Sequence, residues 1–285
     1  MGKFGKEAVL QLLALGVGGA LFLGGGSALR HYERINPAPE IQVALPLFVQ
    51  VIMAGGDRFL AANLGSVRAL ITESAKMKPD EYRIQAKVQK DVSWLNPAHE
   101  DNYYVATATL PWNGQVDAAQ MILRRATLAR QKDSQPPFFY AFNLVHFKKD
   151  PVQAAAWLRM AAAKMADEDE RILLESFAAR WVDRAEDLAV AIAVVEAMAK
   201  QAKRKDFRDY LAARAFRLRG LVALREAALA YRRKFGEPLQ SLDQLVHTGL
   251  IAAIPVDPLG AGYALDAAGT PIFGGVRVDE YGNKY

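Results

Sequence analysis

Few residues in this chain are placed to do chemistry on a small molecule. His99, Glu100 and Asp101 put three potential metal ligands side by side. Adjacent positions on a helix point in different directions, so the triplet reads as a helix start with an acidic first turn. His31, His146 and His247 stand alone, without ligand spacing, and no metal or cofactor is expected. There is no cysteine, which removes disulfides, thiol nucleophiles and cysteine-held metals together. Neither a Gly-x-Ser-x-Gly elbow nor a phosphate-binding loop is present, and Gly260-Ala261-Gly262 is turn chemistry rather than a dinucleotide loop. No constellation for catalysis emerges, and the expectation is a binding protein rather than an enzyme.

The elements that would position a binding surface come from a different pattern. Tyr103, Ala119, Leu123 and Ala126 are echoed thirty-five residues later by Phe138, Ala154, Leu158 and Ala161. A period of this length marks stacked helical hairpins, because one hairpin alone cannot bury its apolar face. The expected helices run over 99–110 and 116–129, then over 136–147 and 151–164. Asp57 caps an earlier helix to about residue 75, and Pro79 opens another to Leu95.

These units resemble tetratricopeptide repeats. The alanine pairs Ala119/Ala126 and Ala154/Ala161 keep that family's seven-residue spacing, Leu123 and Leu158 hold its larger apolar position, and Tyr103 and Phe138 its early aromatic one. A third copy over 168–200 is offset by thirty-seven, with Met198 in place of the second alanine. The chain departs from the family at Pro111 and in lacking the usual glycine on the first helix. The resemblance implies a concave surface made by the first helix of each pair, on which Tyr104, Phe139, Asn143, His146 and Arg180 would form a groove for a peptide or helix of a partner protein. Packing of Tyr104 and Phe139 between neighbouring helices is the plainer alternative. Trp94, Trp112, Trp157 and Trp181 are expected to fill helix junctions.

Ala8 to Leu29 is a run of twenty-two uncharged residues, and about twenty apolar residues span a bilayer as a helix. Gly16, Ala20, Gly24 and Ala28 recur every four residues, an arrangement that lets another membrane helix approach closely. The flanking lysines and arginines balance, so they set no orientation. The expectation is a retained single-pass anchor in a bacterial inner membrane with the body on the periplasmic side. A cleaved signal peptide is the alternative, although the run exceeds the ~7–15 residues usual for one.

The chain thus divides into an anchor with its flanks (1–35), an apolar linker (36–56), a helical array (57–200), a long basic capping helix (201–235) and a small turn-rich C-terminal subdomain (236–285). The fold class is mainly α, with a transmembrane helix at the start and an α+β tail. Residues 200–235 carry twelve Lys/Arg against three Asp/Glu, while 167–196 carry nine acidic against three basic. Consecutive helices of opposite charge can satisfy one another, and Lys203-Arg204-Lys205 lacks a stacking platform, so nucleic acid is not the expected partner. Tyr263–Asp266 and Thr270–Phe273 alternate around a turn as a small hairpin would. The string Pro255-x-Asp257-Pro258-x-Gly260-x-x-Tyr263 resembles a segment in the globular heads of pseudopilins of type II secretion systems, although the N-terminus lacks the pilin processing pattern. The expected function is a membrane-anchored scaffold that binds a partner protein, serving a secretion, pilus or other envelope assembly. The alternative is an accessory subunit of a membrane enzyme or polysaccharide-export complex, packing through its anchor.

Overall fold

The computed structural model describes residues 11, 14–25, 27, 43–72 and 77–275. Chain contacts divide it into two units, 1–40 and 41–285. In the first unit, α1 includes the described residues 11, 14–25 and 27, and each of these is exposed. Among the described residues no helix is long and apolar enough to cross a membrane. The expected transmembrane helix is therefore not found among the described residues. The rest of the run (8–10, 12, 13, 26, 28 and 29) lies outside them.

The second unit is mainly α. Its helices are α2 (Leu47–Met53), α3 (Arg58–Leu70), α4 (Pro79–Leu95), α5 (Glu100–Thr109), a 3-10 turn (Pro111–Asn113), α6 (Val116–Ala129), α7 (Gln135–His146), α8 (Pro151–Ala162), α9 (Glu168–Val182), α10 (Leu188–Gln201), α11 (Lys205–Phe235) and α12 (Asp243–His247). One small antiparallel sheet follows, β1 (Tyr263–Leu265) on β2 (Pro271–Phe273), with Tyr263 opposite Phe273.

Local chemistry sets most boundaries. The Asp57 carboxylate accepts from the Phe59 and Leu60 amides at 2.8 and 3.2 Å, starting α3. Asp150, Asp167 and Asp187 cap α8, α9 and α10 in the same way. Prolines in the first turns of α4, α7 and α8 give up amide donors that would have had no partner there. Gly236 ends α11 at φ +80°, a left-handed conformation that favours glycine.

Each helix packs chiefly on its neighbours in sequence: α3 on α4, α5 on α6, α6 on α7, α7 on α8, α8 on α9 and α10 on α11. The echoed positions form the seams. Tyr103, Ala119, Leu123, Ala126, Ala154, Leu158 and Ala161 are all buried to 1% exposure or less, with Phe138 half-buried. Ala191, Val195 and Met198, their counterparts at the longer offset, are buried equally well. This is the packing a helical-repeat array requires.

The long helix α11 closes the array, burying Phe207, Leu211, Leu218 and Leu221 as its periodicity predicts. Further along, Leu224 is fully buried while Leu229 is 57% exposed. The stripe drifts around a helix of this length because 3.6 residues per turn do not repeat evenly over seven. Opposite charges pair between the acidic and basic segments: Arg204 with Asp169, Arg214 with Asp183 and Arg219 with Glu196.

The C-terminal hairpin is seated on α11 by the motif residues around it. Asp257 accepts from the amides of Leu259 (2.9 Å) and Gly262 (2.8 Å) and faces Arg217 at 3.1 Å. The Tyr263 hydroxyl donates to the Arg217 carbonyl at 2.9 Å, passing over Gly220 where only a hydrogen fits.

Candidate protein-binding surface

The expected groove residues have different fates. In α5, burial of Tyr103 and Ala106 turns Tyr104 outward, to 39% exposure. Its ring stacks on Tyr103 at 4.6 Å and meets Phe139 of α7 edge-on at 5.8 Å. Further along α7, His146 is exposed and stacks on Phe142 at 5.4 Å. Trp112, 58% exposed on the 3-10 turn, lies 5.1 Å from the His146 ring and 5.0 Å from Phe147. Tyr104, Phe139, Phe142, His146 and Trp112 thus make an aromatic stripe that runs along α7 and takes residues from two consecutive hairpins.

Two of the five expected residues are not on this stripe. Asn143 is fully buried, because α7 is turned so that Phe142, one position earlier, takes the outward place. A shift of one residue on a helix rotates a side chain by about 100°. Arg180 is exposed and lies over the Phe177 ring at 4.4 Å, but it lines a cavity between α9, α11 and the hairpin. Of the tryptophans expected at helix junctions, Trp157 stacks on Tyr140 at 3.8 Å, whereas Trp94 and Trp112 are each 58% exposed, and Arg125 lies over the Trp94 ring. For Trp112, a position between Pro111 and Asn113, in a linker rather than on a long helix, is the available signal.

A second apolar surface has the opposite origin. The buried side of α3 carries small residues, Ala61, Ala62, Gly65, Ser66 and Ala69. A Cβ on Gly65 would approach Val92 of α4 to 2.8 Å, so the two backbones come close there. The large side chains face outward instead: Leu60, Leu64, Val67 and Ile71 are 45–57% exposed along one side, next to Phe48 and Ile52 of α2 at 67% and 70%. An exposed apolar face of this extent marks an interaction surface.

In the first unit, Gly16, Ala20 and Gly24 are helical and exposed, with open space above both glycines, and Ala28 lies outside the described residues. Among the described residues no group of three or more His, Asp or Glu gathers to hold a metal ion.

The electrostatics at the base of the stripe are local. The Tyr103 hydroxyl donates to Asp133 at 2.9 Å, and Arg130 donates to the same carboxylate at 2.6 Å and to Glu100 at 2.7 Å. Burial alone would raise the Asp133 pKa, but Arg130, the Gln135 amide and Tyr103 hold it below the usual carboxylate range. Lys164, at the end of the next hairpin, donates to the carbonyls of Thr127 and Arg130 at 3.1 and 2.9 Å. This network joins the end of one hairpin to the end of the next.

Comparison of the chain with protein-family models, with curated proteins and with solved structures finds no match.

Proposed function

We propose that this chain is a membrane-associated scaffold whose tetratricopeptide-like array holds a partner protein against the aromatic stripe of Tyr104, Phe139, Phe142, His146 and Trp112. The observation that carries the reading is the stripe itself: Tyr104, His146 and Trp112 are exposed and Phe139 and Phe142 half-buried, on two hairpins joined by hydrogen bonds and backed by fully buried repeat alanines. Exposed aromatics are the side chains that most often anchor protein interfaces, because they bury large area at little entropy cost. The uncharged run 8–29 supports membrane association, and the outward aliphatic face of α3 is consistent with it. The anchor would raise the local concentration of the scaffold around an envelope assembly of the secretion or pilus kind.

A second reading, an accessory subunit packing through its anchor against a membrane enzyme or polysaccharide-export complex, is favoured by one observation. Gly16, Ala20 and Gly24 leave a bare helix side against which another helix could lie.

A photoreactive amino acid placed at position 112 tests the first reading in native membranes, with position 216 on α11 as the exposed reference (Phe216 is 53% exposed). The scaffold reading expects a discrete adduct from 112 and none from 216. Equal labelling from both positions would remove it. An adduct seen only from a probe at position 20 would favour the anchor-packing reading.

A further inference from the structure

Five arginines converge on one cavity of about 520 Å³. Arg180 and Arg184, from the last turn of α9 and the loop after it, form one wall. Arg214, Arg217 and Arg225 form another, spaced three and then eight apart so that they share one side of α11. Phe273 of the hairpin and Leu221 add an apolar surface.

Among the described residues, two carboxylates offset these charges. Arg214 pairs with Asp183, and its Nη1 donates to the Tyr210 hydroxyl at 2.9 Å. Arg217 faces Asp257 at 3.1 Å and lies over the Phe273 ring, 4.0 Å from its centroid. Arg225 spends its Nε on the Pro271 carbonyl at 3.1 Å. Arg180 rests on Phe177, and neither it, Arg184 nor Arg225 has a carboxylate within ion-pair reach among the described residues. Three buried atoms at the cavity also make no hydrogen bond among the described residues. They are Nε of Arg214, a residue only 6% exposed, Oδ1 of Asp183, and Nε of Arg217, which meets Asp257 only as an ion pair. A buried cation with a spare donor is costly unless an acceptor meets it.

We propose that this cavity is a binding site for a phosphate monoester or diphosphate group carried on a partly apolar body. Three guanidiniums with no carboxylate partner among the described residues exceed what a single carboxylate neutralises. A phosphate monoester brings a charge of about −1.5 to −2 and three acceptor oxygens. Guanidinium forks bind such oxygens in bidentate fashion, and arginines on two helices can meet a tetrahedral group from more than one side. Asp183 Oδ1 supplies an acceptor for a hydroxyl of the ligand or a protonated phosphate oxygen. Phe273 and Leu221 receive the apolar part. The volume lies within the range of small-molecule sites, about 300–1,000 Å³. The inference does not depend on the scaffold reading.

The test is calorimetric titration of inorganic pyrophosphate into the full chain in a neutral sugar detergent. Arg180→Gln/Arg184→Gln removes two exposed guanidiniums that make no ion pair among the described residues, so the fold is retained. It should weaken binding about tenfold or more, since each charged hydrogen bond lost contributes on that scale. Arg233→Gln/Lys234→Gln removes the same charge from the far end of α11 and should weaken binding less than about twofold. Absence of binding to the wild-type chain at millimolar pyrophosphate would overturn the proposal, and so would equal weakening by the two double variants. Phosphatidic acid added to the micelles distinguishes the source. Competition with pyrophosphate assigns the site to a lipid headgroup, and none assigns it to a soluble phosphate compound.

Discussion

Replacing Gly220 by alanine should destabilise the protein, although the same change in an ordinary helix interior stabilises it. Alanine gains about 1 kcal/mol over glycine from helix propensity. Here the new Cβ would stand 2.2 Å from the Tyr263 hydroxyl, 3.0 Å from its Cζ and 3.1 Å from Pro255 Cβ. The tyrosine must withdraw, losing the hydrogen bond to the Arg217 carbonyl at 2.9 Å. That loss costs about 1 kcal/mol, and overpacking a close-fitted site costs about 1–3 kcal/mol more. The net is a destabilisation of about 2 kcal/mol, a fall in Tm of roughly 4–8 °C for a chain of this size. Thermal unfolding of the wild-type, Gly220→Ala, Tyr263→Phe and double variants measures it. In the Tyr263→Phe background the penalty should shrink by about 1 kcal/mol or more, the coupling expected of residues in direct contact. The hairpin also forms one wall of the arginine-lined cavity, so Gly220→Ala should weaken pyrophosphate binding as well. A rise in Tm for the single variant would refute the seating of Tyr263 over Gly220 and the cavity wall built on it.

Three further outcomes follow from the same geometry. Ala126→Leu and Ala161→Leu, at equivalent seams, should each cost about 1–3 kcal/mol by overpacking, whereas Leu128→Ala, on a residue 69% exposed, should stay within about 0.5 kcal/mol by denaturant titration. Burial pushes the Asp183 carboxyl up to about 6, with Arg214 and Arg217 limiting the rise and Asp257 adding to it. The folded chain then holds a proton that the unfolded chain has lost between about pH 4 and 6, so this group's contribution is full below pH 4 and is lost as the pH rises through 6. The difference in Tm between the wild-type chain and Asp183→Asn, followed across that range, should show this slope, and a flat difference would contradict it. Asp133 has the opposite shift, so Asp133→Asn should cost stability at neutral pH and progressively less as the medium is acidified below the normal carboxylate pKa, read by the same unfolding series.

What the sequence made legible was whatever a short stretch decides by itself. Pro79 and Val116 open α4 and α6 where their spacing places them, and Gly236 stops α11 because a left-handed residue is needed there. The hairpin turn is equally local, since Asp266 accepts from the amides of Ala268 and Thr270 at 2.9 Å each. The buried alanines were legible because their period repeats. Direction was not. Nothing within α7 distinguishes a helix that shows Asn143 from one that shows Phe142, because only the fit against α6 and α8 fixes that rotation. In α3 the larger residues face out, since close approach to α4 admits only glycine, alanine and serine. The resemblance places Arg180 on the concave groove, whereas it lines a cavity with Arg214, Arg217 and Arg225 from another helix and a hairpin wall from the far end of the chain. No local pattern brings those together.

The absence of cysteine allows a direct measurement of the central claim, that the aromatic stripe is covered by a partner. A single cysteine is placed at Trp112 or, as reference, at Phe216, and the rate of maleimide labelling is compared between intact native membranes and the purified chain. The account predicts that the residue at 112 reacts several-fold more slowly in membranes than after purification, relative to the residue at 216. Equal rate ratios at the two positions would contradict it.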